Sequence, residues 1–481
     1  MRRVPVTAPA LALITLLGLA LRLYRLSDAE LTFDEGATWY FSARPLADLW
    51  GGPARLETNP PLFYTLAHWF RAVGAVAEDE RLISVVCGTA CIPLVFLLGS
   101  RLAGRFAGLG AALLLALSAA QIGTSQDARA YAGLTAAALV MALAVQRLLA
   151  GGGIAAWAAY VLASLAALYL HNTAVLLVAA CNLMVLLAWP ARPWRGFLAR
   201  WALANALILV GYAPWITVVI DQSLHALAHP WLQQPTLTSF RYEVMNTFAL
   251  RFLAWGGPVA DILFLGLLAA GAAATRRVPF ARALAATMIV GVPVASFVVS
   301  QWRPIMNGKT LLCLIPFGLV FVAAGCAALR RARLPALLLA AGLEGAATLH
   351  AFAGRGDKGW AAMAELLASE AHDHDALVVS PAFLGFMLDY YGLPAGSLPA
   401  FSFGRQVAWY PPAAAPPLPE DRPLAVLGGF ARIWLVTTEA ATGTQDLRTR
   451  LACAFAPRDV TPPGAALRLV VFEQRAAPTC N

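Results

Sequence analysis

Apolar residues in this chain come in long unbroken runs, without the 2- or 3.6-residue alternation of half-buried elements in a soluble protein. Eleven runs stand out, at about 8–26, 82–100, 106–122, 131–149, 154–170, 173–190, 201–220, 257–274, 283–300, 310–329 and 335–353. A helix needs roughly 20 apolar residues to cross a hydrocarbon core. The pattern therefore predicts a polytopic α-helical membrane protein, with about 11 transmembrane helices over residues 1–353. A long first outer loop, 27–80, interrupts the series after the first run. Beyond residue 353 the pattern changes. Short strand-like runs, ALVVS (376–380), ARIWLVTTE (431–439) and LRLVVFEQ (467–474), follow a helical stretch around Trp360 to His372. Strands mixed with helix predict a small C-terminal α/β domain over 354–481.

Composition agrees. The 481 residues are 60% hydrophobic and only 13% charged, and mean hydropathy is +0.67. A soluble domain averages roughly 45–50% apolar and about 25% charged residues. A soluble enzyme, a disordered chain and a disulfide-rich secreted module are excluded.

The net charge of +9 would suit nucleic acid, but its distribution points to topology and away from a nucleic-acid partner. Even-numbered gaps between runs hold Arg2, Arg3, Arg101, Arg105, Arg147, Arg192, Arg195, Arg200, Arg276, Arg277, Arg282, Arg330, Arg331 and Arg333, with no Asp or Glu. Odd-numbered gaps hold the acids, from Asp28 and Glu30 through Asp127 to Glu243 and Asp261. The positive-inside rule places the arginine side in the cytoplasm. The expected topology has a cytoplasmic N-terminus, an uncleaved first span and an extracytoplasmic C-terminal domain. Five cysteines fall in the apolar runs and read as packing residues. Cys453 and Cys480 fall in the outer domain, where a disulfide is one of two open outcomes. The sequence shows no P-loop, no dinucleotide fingerprint and no zinc spacing.

Polar residues in the outer links carry the candidate chemistry. LTFDEGATWYFSA begins the first loop, with Asp34 and Glu35 beside Phe33, Trp39 and Tyr40. One reading is a helix start with Thr32 as N-cap. The other is a general base, because apolar neighbours raise a carboxylate's proton affinity. Glu57 and Asn59 precede Pro60–Pro61, after which an amphipathic helix is expected with Phe63, Tyr64, Trp69 and Phe70 at the lipid interface. SQDARAYA (125–132) places Asp127, Arg129 and Tyr131 in a short link. If that link is helical, Asp127 and Tyr131 share one face. His171 lies in the third link, and Arg303 and Lys309 lie in the fifth. Charges at this depth are costly unless they pair or line a polar cavity. Asp34, Glu35, Asp127, Arg129 and His171 are therefore expected to line one outward-facing cavity, and Arg303 and Lys309 could hold a lipid phosphate. The acids fall at the outer face and no inverted repeat is visible, so a secondary transporter is the weaker alternative. A ligase of lipid-linked oligosaccharides is another.

The order of these pieces resembles the polytopic glycosyltransferases of family 39 and their bacterial relatives in the GT-C superfamily. The shared marks are an acidic pair in the first outer loop, a PPL-aromatic step, an SQ[ED]AR-x-Y-A segment and a short third link with His. That superfamily includes protein O-mannosyltransferases, aminoarabinose transferases acting on lipid A, and rhizobial galacturonosyltransferases. The resemblance covers about 10–330. It implies a polyprenyl-phosphate sugar donor, an envelope acceptor (glycolipid, glycan or protein) and inverting transfer at a bacterial inner membrane, with no metal and no cofactor required. It also implies Asp34 as base with Glu35 beside it, Asp127 and Arg129 shaping the pocket, His171 at the family's third-loop His, and Lys309 near a basic position. Asn59 departs from the family's His or Lys, Asp127 from its Glu, and Lys309–Thr310 from its Arg–Tyr.

Overall fold

The computed structural model describes residues 7–51, 57, 59–74, 78–189, 196–225, 234–249, 257–354, 359–391, 398–404, 415–438, 444–463, 465 and 467–476. The chain forms two compact units. One comprises Met1–Leu26 and Thr58–Gly354; the other comprises Ser27–Glu57 and Arg355–Asn481. Most of the first outer loop thus belongs with the C-terminal domain.

The first unit is a helical membrane domain. Among the described residues, six helices are long and apolar enough to cross a membrane: Arg81–Leu117, Tyr131–Leu149, Phe197–Gln222, Pro258–Thr275, Pro279–Ser300 and Arg330–Ala353. Four shorter apolar helices join them: Thr7–Leu23, Ile154–Leu170, Ala174–Leu187 and Leu312–Ala328. Arg81–Leu117 takes up two of the predicted runs, because it breaks at Ala103–Gly104, where Gly104 adopts φ +86°. Its two arms approach closely: a Cβ on Gly108 would lie 2.0 Å from Ser100 Oγ. Among the described residues, each predicted run falls mainly on helical backbone.

Small residues let other helices touch. A Cβ on Gly271 would sit 1.8 Å from the Phe321 carbonyl oxygen, and one on Gly325 would sit 2.0 Å from that of Leu267. Such small-residue contacts are how helices pack tightly where lipid supplies no hydrophobic drive.

The two ends of this unit differ in kind. At one end, Arg101 donates to Gln146 Oε1 (3.2 Å) beside Arg147, and Arg333 lies over the Phe106 ring at 5.0 Å. At the other, Gln126 Nε2 donates to the carbonyls of Arg22 (2.9 Å) and Tyr24 (2.8 Å). There Arg81 donates to the Leu26 carbonyl (2.7 Å), and Arg25 to that of Phe352 (3.3 Å). Cys91, Cys181, Cys313 and Cys326 are buried free thiols and Cys87 is a half-buried one, as packing residues should be.

The second unit holds a five-stranded mixed sheet, ordered β2-β1-β3-β5-β4. The strands are β1 (Asp375–Ser380), β2 (Ala400–Ser402), β3 (Arg432–Thr437), β4 (Phe455–Asp459) and β5 (Arg468–Gln474). β1 pairs in parallel with β2 and β3, and β5 runs antiparallel to β3 and β4. β1, β3 and β5 are the three predicted strands. Asp375 anchors the sheet's entry, accepting from Arg432 Nη2 (2.8 Å), Trp434 Nε1 (2.9 Å) and His372 N–H (3.0 Å). Burial alone would raise this carboxyl's pKa; the hydrogen bonds, with Arg432 first, hold it below the usual value. Cys453 is disulfide-bonded, and Cys480 lies outside the described residues.

Candidate active site

In the membrane unit, three links that are distant in sequence converge. Asn59, Pro60, Phe63, Tyr64, Arg129, Ala130, Tyr131, Leu170 and His171 line one small pocket. The helix Leu62–Ala72 starts directly after the prolines. Its Phe63 and Tyr64 are buried, with Phe63 packed against Ala128, Ala130 and Leu170. They do not lie at the lipid interface, as the aromatic pattern had suggested. The expected face differs because the 126–130 link supplies apolar partners, while Trp69 stays exposed.

That link is not helical, so Asp127 and Tyr131 do not share a helical face. The helix Ala119–Ser125 ends at Gln126, and the next begins at Tyr131. Within the turn, Ser84 Oγ donates to the Arg129 carbonyl (3.0 Å), and Arg129 N–H donates to the Asp127 carbonyl (2.7 Å). The Arg129 guanidinium is buried and donates to Tyr64 Oη (3.0 Å). Asp127 is half-buried in the same turn.

His171 terminates the helix Ile154–Leu170, and its ring lies 5.9 Å from that of Tyr131. Thr173 N–H donates to His171 Nδ1 (3.2 Å), which leaves the ring proton on Nε2 in the neutral form. Burial, with the Arg129 charge adding to it, holds the His171 pKa down to about 4. The ring is therefore neutral at pH 7.

Lys309 Nζ sits 5.4 Å from the Tyr131 ring centre, a cation–π distance. Its loop is rigidly built. Asn307 Oδ1 accepts from Lys309 N–H (2.9 Å) and Thr310 N–H (3.0 Å), and Ser300 Oγ accepts from Met306 N–H (2.9 Å). Glu243 adjoins this loop, since a Cβ on Gly308 would lie 3.3 Å from its carboxylate. Arg303 is exposed and does not line the cavity. The result is a small pocket lined by a buried guanidinium, a neutral imidazole donor, an amide and two phenols, with the Lys309 ammonium against the Tyr131 ring. That donor set suits an anion carrying an apolar group.

The acids Asp34, Glu35 and Glu57 belong to the other unit. Asp34 and Glu35 open the helix Phe33–Ser42, which is closed by a capping box: Thr32 Oγ1 accepts from Glu35 N–H (3.1 Å), and Glu35 Oε2 accepts from Thr32 N–H (2.8 Å). Glu35 is buried and Asp34 half-buried. The cap read from Thr32 is thus real, and it occupies Glu35. Glu57 is buried.

One intramembrane acid escaped the sequence reading. Glu344, in the helix Arg333–Ala353, is buried and lines a small pocket with Ser118, Asn246, Thr247 and Phe248. Its signal was a lone acid inside the last apolar run. Arg22 is likewise buried inside a span, bonded to Ser125 Oγ (3.1 Å) and the Gly18 carbonyl (3.0 Å).

Among solved structures, the chain is similar to ArnT from Cupriavidus metallidurans. The apo form superposes with a TM-score of 0.62 at 16% identity, over 97% of this chain and 98% of that one. The form bound to undecaprenyl phosphate superposes with a TM-score of 0.63 at 15% identity and the same coverage. The fold is that of the GT-C glycosyltransferases. The arabinofuranosyltransferase AftD from Mycobacteria shares this GT-C fold with a TM-score of 0.53 at 17% identity, over 99% of this chain and 40% of that one. No protein-family model and no curated protein matches the sequence. With identities this low, the likeness establishes the GT-C fold, and the chemistry rests on this chain's own residues.

Proposed function

We propose that this protein is an integral-membrane glycosyltransferase. It moves a sugar from a polyprenyl-phosphate donor to a hydroxyl of an extracytoplasmic envelope acceptor. The observation that carries the reading is the pocket in which Arg129, Tyr131 and His171 meet, with Lys309 over the Tyr131 ring. One similar structure of the same fold holds undecaprenyl phosphate, which supports that donor class.

Asp34 is the general base. The acceptor oxygen attacks the anomeric carbon from the face opposite the phosphate. The carbon–oxygen bond to phosphate breaks, the acceptor proton passes to the Asp34 carboxylate, and polyprenyl phosphate leaves with the bond's electron pair. The configuration inverts and no covalent intermediate forms. Arg129 and Lys309 stabilise charge developing on the phosphate, the kind of preorganised electrostatics that usually dominates catalysis. Neutral His171 donates from Nε2, and Asn59 supplies an amide. Asp127 orients the link that carries Arg129, and Glu35 and Glu57 support the acidic side. The orientation is that of the arginine bias, with the N-terminus cytoplasmic and the C-terminal domain outside the bacterial inner membrane.

The test is turnover by purified protein of a panel of synthetic undecaprenyl-phosphate sugars, with envelope extract as acceptor. Release of undecaprenyl phosphate that depends on both donor and acceptor is the expected result. No release from any donor would overturn the reading.

A further inference from the structure

Asp34 lies in the compact unit of the C-terminal domain, and its helix is held there from several sides. Just before the helix, the Glu30 carboxylate accepts from Trp360 N–H (3.1 Å) and Ala361 N–H (2.8 Å). Leu31 N–H donates to Tyr391 Oη (2.9 Å). Along the helix, Phe33 meets Phe386 (ring centres 4.9 Å apart) and Trp39 meets Tyr390 (5.2 Å). Between them, the helix touches the short helix Gly385–Tyr390 through bare backbone. A Cβ on Gly36 would lie 2.1 Å from Met387 Sδ and 2.8 Å from Phe386 Cε2. Phe386 and Met387 are fully buried. The thioether is the tighter obstacle, and the ring edge, at 2.8 Å, needs the smaller shift.

We propose that Phe386, Met387, Tyr390 and Tyr391 form a seat that sets the position of Asp34. The C-terminal domain is then the carrier of the catalytic base, and Gly36 and Tyr391 are positioning residues. The seat is specific in a way a generic packing contact is not. It bonds the backbone one residue before the N-cap, flanks the acidic pair with aromatic contacts, and excludes any side chain one position after Glu35. The proposal rests on the reading of Asp34 as base.

The experiment compares wild type, Asp34→Asn, Gly36→Ala, Gly36→Ala/Met387→Ala and Tyr391→Phe. It uses the full-length protein and the undecaprenyl-phosphate sugar that wild type turns over best. Ala is a better helix former than Gly, so the helix itself is not weakened by Gly36→Ala. Displacing a reacting group by about 1 Å can cost ~100-fold in rate. Gly36→Ala is expected to lower kcat at least about tenfold with donor KM nearly unchanged and the protein still folded. Removing the Met387 side chain in the double variant should restore much of that loss. Tyr391→Phe, which deletes one hydroxyl, should lower kcat several-fold and decides the matter if Gly36→Ala does not fold.

Full kcat in both Gly36→Ala and Tyr391→Phe, beside an inactive Asp34→Asn, overturns the seat and leaves the base intact. A loss that tracks thermal midpoint, with no rescue in the double variant, also overturns it. An active Asp34→Asn, or no turnover by wild type, overturns the reading on which the seat rests.

Discussion

His171 carries no charge at neutral pH, and this sets the electrostatic sign of the pocket around it. Its folded pKa of about 4 lies below the 6.5 of a free imidazole. As pH falls, the unfolded chain therefore takes up the proton first, and the native state loses stability. This contribution is complete above about pH 6.5 and declines toward pH 4. Thermal midpoints of the purified protein should fall through that window, and His171→Asn should flatten that part of the profile. An identical slope in the variant would contradict the burial argument. Arg129 and Lys309 then carry the pocket's positive charge. A charge-assisted bond is worth roughly 1.5–3 kcal/mol, so Arg129→Ala and Lys309→Ala should each weaken undecaprenyl phosphate binding by about tenfold or more. Arg303→Ala, at an exposed site outside the cavity, should change it by less than about twofold. Titration with the labelled lipid checks all three. Arg129, Tyr131 and His171 were legible in the sequence because polar residues between apolar runs have few bland explanations. Tyr64 was not, since one phenol among several aromatics gives no sign of which will face inward. Glu344 was hidden by the hydrophobicity of its own run.

At the scale of elements, the spans were legible from run length alone, and the Thr32–Glu35 pair announced the cap of the helix Phe33–Ser42. The turn at 126–130 was not, because its residues are compatible with helix and the contacts that favour the turn, Ser84 Oγ on the Arg129 carbonyl and Ala128 and Ala130 on Phe63, come from distant segments. Two strands were missed for local reasons. β2 has three residues, and β4 contains Pro457 and exposes all but its first position, as an edge strand can. Helix contacts were also illegible, since glycines inside apolar runs look alike until their neighbours are known. Gly271 and Gly325 show which ones matter. Each faces a backbone carbonyl across the contact between Gly257–Thr275 and Ile315–Ala328. Gly271→Leu or Gly325→Leu should destabilise the protein by more than about 3 kcal/mol, the range of severe overpacking. Thermal unfolding in detergent is the check, with Gly342→Leu, whose Cβ meets open space, expected to behave as wild type.

The whole molecule divides where composition alone would not divide it. The apolar-to-mixed change at residue 353 marks one boundary in sequence, but residues 27–57 join the C-terminal unit. Nothing in their composition announces this, because the contacts that hold them are long-range aromatic and capping bonds. The arginine bias speaks to the molecule as a whole. Reporter fusions at Gly152 and Arg331 should report cytoplasm, and fusions at Gly51 and Pro416 the outside, because the short arginine-bearing links lack acids. An outside signal at Gly152 or Arg331 would contradict the proposed orientation.

Mass spectrometry of lipid A, surface glycan and envelope proteins from a deletion strain decides whether this protein adds a sugar to the envelope. The strain would be compared with the same strain carrying wild-type or Asp34→Asn protein at equal expression. General-base catalysis is typically worth ~10²–10⁴-fold. One acceptor class should lose the mass of a single glycosyl residue in the deletion, regain it with wild type, and fail to regain it with Asp34→Asn. An envelope with no glycosyl difference, or full restoration by Asp34→Asn, would contradict the proposed transfer.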